Sequence, residues 1–178
     1  VLLRNEAGKQ FNNVTYAARL GHLQKGHGLA FADFDRDGDL DWFVTSIYRP
    51  VTPPVRNGNR LYRNNGVTAG FEDGTDEAGV REGDWGWGAC FADFDNDGHL
   101  DLFHTNGHQE PGQPEFEDDP SRLFMSNGDG TFTDRATELG LIHTAQGRGL
   151  ICTDYNEGSS LNDKLRQRFI ICYVRISV

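Results

Sequence analysis

The chain has 178 residues, 17 Lys plus Arg against 27 Asp plus Glu, and a formal net charge of −10. That length buries the core of one or two ordinary domains, and no apolar run approaches the roughly 20 residues of a membrane-spanning helix. The acidity argues against nucleic acid and against insertion into or docking on an anionic membrane, which reward clustered Lys and Arg, and it fits cations.

Read in chain order, the same phrases return. Leu3-Arg4-Asn5 leads to Phe11, Leu61-Tyr62-Arg63-Asn64 to Phe71, and Leu123-Phe124 to Phe132. Gly26-His27-Gly28, Gly86-Trp87-Gly88 and Gly147-Arg148-Gly149 mark a second phrase with the same step of about 60 residues, which means internal repeats. Within one unit, Leu29-Ala30-Phe31-Ala32 and Ala89-Cys90-Phe91-Ala92 alternate as short strands, and Asp41-Trp42-Phe43-Val44 and Asp101-Leu102-Phe103-His104 read as second strands. Arg60–Arg63 and Arg122–Met125 supply a third strand, Asn64-Asn65-Gly66 and Asn127-Gly128-Asp129-Gly130 a turn, and the Phe71 and Phe132 segments a fourth strand. Four short antiparallel strands per unit predict an all-β chain, a partial β-propeller of four-stranded blades of about 60 residues that is not closed.

The expected organisation is the second half of a blade over 1–25, blades over 26–85 and 86–146, the start of a degenerate third blade over 147–160, and a divergent basic and apolar tail over 161–178. A propeller needs 4–8 blades to close, and Val1 is not an initiator, so the chain is expected to be a fragment, a truncated product or part of an assembly. The six prolines fall in two inserts, Pro50 to Pro54 and Pro111 to Pro120, which are read as loops; the second also carries Glu110, Glu115, Glu117, Asp118 and Asp119. These loops are either a contact surface or solvated spacers.

The acid is concentrated. Asp33, Asp35, Asp37, Asp39 and Asp41 stand in one stretch, and Asp93, Asp95, Asp97 and Asp101 in its copy, together nine of the 27 acidic residues. Carboxylates at loop positions 1, 3, 5 and 9, with glycine at position 6, turn inward together and repel unless a cation joins them. All-oxygen ligands in an irregular loop predict Ca²⁺ at two sites, with Asp39 and His99 at position 7 contributing main-chain carbonyls. The loop is not an EF-hand, because position 12 is Val44 or His104 rather than Glu and strands flank it. The third copy, Asp154-Tyr155-Asn156-Glu157-Gly158-Ser159, loses the spacing and is expected to be defective.

These residues resemble FG-GAP/VCBS-type repeats of integrin α-like propellers. The wording from Gly28 to Asp35, copied from Gly88, is similar to the secreted subgroup related to cartilage acidic protein. The resemblance covers roughly residues 1–156 and implies an extracellular or periplasmic calcium-binding module with structural, adhesion or ligand-recognition roles toward an extracellular protein or glycan. By motif match it carries over Asp33, Asp35, Asp37 and Asp41, then Asp93, Asp95, Asp97 and Asp101, as ligands. No hydrolase, zinc-protease or phosphate-loop signature is present, so the chain reads as a non-enzyme; the other reading is an accessory propeller segment of a secreted carbohydrate-active enzyme.

Cys90, Cys152 and Cys172 lack paired spacing, and Cys90 and Cys152 are expected to fill core rather than bond to each other. On a continuous strand His104 and His108 stand about 13 Å apart, too far to share a metal. Trp85 and Trp87 are read as blade wall rather than a ligand platform, and the Asn13-Val14-Thr15 sequon as coincident with the repeat phrase. Residues 161–178 carry a net +3 and the rest −13. Their apolar run Phe169–Val174 is read as foreign to the repeat, with a divergent strand as the alternative.

Overall fold

The recurrent phrases fold into recurrent sheets. The computed structural model describes residues 1–20, 26–50, 57–107, 118–142, 144 and 146–154 and the strand at 169–175. A hairpin of β1 (Leu3–Asn5) and β2 (Phe11–Asn13) is followed by a four-stranded antiparallel meander, β3 (Leu29–Ala32), β4 (Asp41–Val44), β5 (Arg60–Asn64) and β6 (Phe71–Asp73). The meander repeats as β7 (Gly86–Ala92), β8 (Asp101–Asn106), β9 (Arg122–Ser126) and β10 (Phe132–Asp134), and β11 (Gly147–Asp154) pairs with β12 (Phe169–Arg175). The chain is all-β, an open array of propeller-like blades, with the β3–β6 sheet as the first full blade and the β7–β10 sheet as the second.

Two single-turn helices, α1 (Gly66–Ala69) and α2 (Thr75–Ala78), were not expected. Gly66 enters α1 at φ 80° with its N–H on the Asn64 side chain, so the asparagine-glycine turn continues for one helical turn. α2 ends at Gly79 in the left-handed region, which is why the Thr/Glu/Ala stretch closes on glycine.

Period-2 alternation gives each blade two apolar faces. Phe43 and Leu61, paired across β4 and β5 and fully buried, face the second blade. There they meet Leu102, Phe124 and Phe132 in one core, with Phe91 packed against it. The opposite face of the second blade repeats this with Phe103, Leu123 and Met125, which pack with Cys90, Phe94 and Leu150. The recurrent glycines let neighbouring inner strands touch: a β-carbon on Gly28 would overlap the Trp87 carbonyl, and one on Gly147 the Thr105 side chain. Thr45 spans the first seam, taking the Gly28 N–H at 2.8 Å and donating to the Trp87 carbonyl.

The apolar run of the tail forms a strand paired with β11. Residues 169–175 occupy the second-strand position beside β11, with Thr153 opposite Ile170 where the earlier blades set Ala32 opposite Asp41 and Ala92 opposite Asp101. The prolines and acids of the inserts that fall within 51–56 and 108–117, and His108, lie outside the described residues. Asp119 is described and is not a surface acid: it is buried and accepts the Trp85 N–H at 3.1 Å.

Candidate metal centre

Each acidic loop joins the first strand of a blade to the second, and the two copies have one backbone. Position 4 is left-handed in both, Arg36 at φ 63° and Asn96 at φ 61°, and so is position 6, Gly38 at 94° and Gly98 at 89°. The latter φ lies beyond what a side chain adopts without strain, which is the reason for glycine there. The loops wrap their own carboxylates. Gly38 donates to Asp33 Oδ2 at 3.1 Å and Gly98 to Asp93 Oδ2 at 2.9 Å, while Asp39 and His99 donate their N–H groups to the side chains of Asp37 and Asp97.

The last aspartate of each loop is a latch. Asp41 is fully buried; its Oδ2 accepts Phe34 N–H and its Oδ1 accepts Asn64 N–H at 2.8 Å, so it ties the loop to the end of the third strand. Asp101 makes the same pair of bonds with Phe94 and Ser126, each at 2.8 Å. Burial pushes both carboxyls up to about 6, against the pull of these bonds. Asp35 is also raised, by burial first and by Asp37 second.

Carboxylate oxygens of Asp33, Asp35 and Asp37 lie within 4.8 Å of one another, as do those of Asp93, Asp95 and Asp101. At that separation each like-charged pair costs about 3 kcal/mol at an effective dielectric near 20. Asp33 Oδ1 is buried and has no hydrogen-bond partner among the described residues. A buried carboxylate oxygen without a donor, beside two other carboxylates, fits a hard divalent cation. The expected side chains divide accordingly. Asp41 and Asp97 are not members of the two tight triads, and the Asp39 carboxylate is turned toward Gly66 in the next turn. The His99 ring is turned toward Gly128. In the third copy the register sets Ile170 opposite Thr153; the expected defective loop from Tyr155 to Ser159 lies outside the described residues.

Other candidates resolve differently. Cys90 and Cys152 are bonded to each other, with their Cα atoms 6.2 Å apart, which corrects the expectation of unpaired core cysteines. They occupy the places that Ala30 and Phe91 hold at the first seam, and blade stacking makes those places neighbours although 62 residues separate them. His104 is core: it is fully buried between Phe43 and Phe124, and burial pushes its pKa down to about 4. Trp87 is held between the His27 ring at 4.6 Å and the Arg148 guanidinium at 4.0 Å, so the middle residues of the three Gly-x-Gly phrases form one stack across three repeats. Asn13 Oδ1 accepts both the N–H and the hydroxyl of Thr15, the same turn that Asp73 and Thr75 make one repeat later.

Sequence reasoning missed Phe34 as a functional part. It sits between two candidate ligands, is buried, stacks on Phe91 at 6.3 Å and packs at a tilt against Phe132 at 5.8 Å, both in the second blade. Its apolar character between two aspartates was the available signal.

Strand–acidic loop–strand units in stacked four-stranded sheets define a repeat module of the β-propeller class. Residues 51–104 match the family described as FG-GAP-like repeat, a span that includes the third strand of the first blade, the second acidic loop and most of β8. That stretch is similar to an FG-GAP-like repeat. No curated protein matches the chain.

Proposed function

We propose that the chain is a calcium-binding propeller module that works outside the cytoplasm by binding rather than catalysis. Asp33, Asp35, Asp37 and Asp41 with the Asp39 carbonyl hold one ion, and Asp93, Asp95, Asp97 and Asp101 with the His99 carbonyl hold the second. The observation that carries this reading is the orphaned, buried Asp33 Oδ1 inside a triad of converging carboxylates. When bound, Ca²⁺ supplies charge neutralisation and a rigid loop, and through Phe34 and Phe94 it braces the blade seams. The Cys90–Cys152 bond supports an oxidising, extracellular or periplasmic setting. Metal-held aspartates are poor general acids or bases, which favours recognition of an extracellular protein or glycan over hydrolysis.

The test is thermal unfolding with Ca²⁺, with Mg²⁺ and with chelator. An ion at 100 times its dissociation constant stabilises by about 2.7 kcal/mol per site. A clear rise in Tm with Ca²⁺ and a smaller one with Mg²⁺ are expected; identical curves in all three would refute the metal assignment.

A further inference from the structure

A cleft of about 290 Å³ opens on the acidic-loop rim between the first and second blades, with Asp35 of the first triad in its wall. Its walls come from the first loop (Phe34, Asp35, Arg36), from Arg63 on β5, and from His99 and the β9–β10 turn of the next blade. Arg63 is already committed. It donates to Gly130 O at 3.3 Å, pairs with Glu77 at 3.2 Å and lies over the Phe34 ring at 5.9 Å, so it braces the cleft floor.

Four groups that line the cleft are free. Arg36 and the His99 ring have no hydrogen bond or ion pair among the described residues. Ser126 Oγ only accepts, from Gly128 N–H, so its proton is available. Asp129 uses Oδ1 to accept from Thr131 and leaves Oδ2 open. Glycine keeps the walls back: a β-carbon on Gly98 would sit 3.2 Å from the Arg36 guanidinium, and one on Gly128 3.2 Å from His99 Nε2.

The chemistry selects the ligand. Two cations (Arg36 and Arg63), two anions (Asp35 and Asp129), one imidazole and one hydroxyl offer both donors and acceptors with no net charge. An anionic ligand would meet Asp35 and Asp129 in a chain of net −10, and a cation would meet Arg36. The volume admits one or two sugar rings, and vicinal hydroxyls, each donor and acceptor at once, match a mixed set of planar polar groups. We propose that this cleft is a binding site for a neutral, hydroxyl-rich saccharide. The proposal deepens the recognition role above, and its four free groups lie outside the metal triads.

The experiment is NMR titration of the calcium-loaded chain with lactose, cellobiose and methyl α-mannoside, with glucuronate and inorganic sulfate as charged counterparts. At least one neutral sugar is expected to shift the amides of Gly128 and Gly130 with millimolar affinity. Arg36→Asn, the residue that the second loop carries at this position, and Asp129→Asn should each weaken that binding about tenfold while leaving the Ca²⁺-dependent rise in Tm in place. No shift with any neutral sugar, a stronger response to glucuronate or sulfate, or binding unchanged in both variants would each overturn the proposal. The Tm rise, read on the same samples, reports the metal assignment separately.

Discussion

The two seams between blades perform one task with different chemistry. At the first, Ala30, Phe43 and Leu61 meet Phe91, Leu102, Phe124 and Phe132, and the acidic-loop residue Phe34 is inserted among them. At the second, the places of Ala30 and Phe91 are taken by Cys90 and Cys152, which are covalently joined. A repeat protein needs each unit to hold its neighbour. The first seam does so by apolar area and aromatic packing, the second by a crosslink beside a smaller apolar cluster. Repeat position is thus conserved in geometry but not in the kind of force.

The largest expected effect that separates the seams is Phe43→Ala. It removes a fully buried ring from the first seam and should cost about 3–5 kcal/mol in equilibrium denaturation. Hydrogen exchange should show the loss in both β4 and β8; protection lost in β4 alone would mean that the blades are stable one by one.

Acid probes the same seam through His104. The ring stays neutral in the folded chain down to about pH 4, whereas an unfolded histidine takes its proton near 6.5. The unfolded state therefore binds more protons in that window, and stability falls as pH drops from 6.5 to 4, by about 3 kcal/mol in full. The measurement belongs in excess Ca²⁺. Without it Asp41 and Asp101, raised to about 6 by burial, give the opposite slope, because the folded chain then holds the extra protons between about 4 and 6. His104→Gln should flatten the fall; an unchanged slope would move its origin elsewhere.

Joint replacement of Cys90 and Cys152 by alanine tests the second seam. A loss of about 2–4 kcal/mol is expected, with exchange protection lowered in β11 and retained in β3–β6. Equal loss in both places would abolish the distinction between the seams. The smallest effect is Thr45→Val, which removes the hydroxyl that joins Gly28 N–H to the Trp87 carbonyl. About 1 kcal/mol is expected in denaturant titration, and no change would show that water replaces the bridge.

Much of this was legible in the sequence because repeats report themselves. The 60-residue step, the alternating first strands, the glycine pairs and the carboxylate spacing each arise from local chain geometry, and the loops and strands stand where those signals put them. What spans two repeats was not legible. The Cys90–Cys152 bond, the His27–Trp87–Arg148 stack and the burial of His104 depend on how blades lie against each other, and no period within one strand encodes that. The latch role of Asp41 and Asp101 was partly visible, as the ninth loop position. Its partners were not, because they are the backbone N–H groups of Asn64 and Ser126, which carry no residue signature. The strand at 169–175 shows the converse: an apolar β-prone run pairs with β11 although it shares no word with the repeat.

The central claim is that two loops of this chain each hold one calcium ion. Calorimetric titration of the chelator-stripped chain with Ca²⁺ tests it most directly, alongside Asp35→Ala and Asp95→Ala. Two ions per chain are predicted, with one lost in each variant and the other retained. No bound ion, or a stoichiometry that neither substitution lowers, would contradict the account.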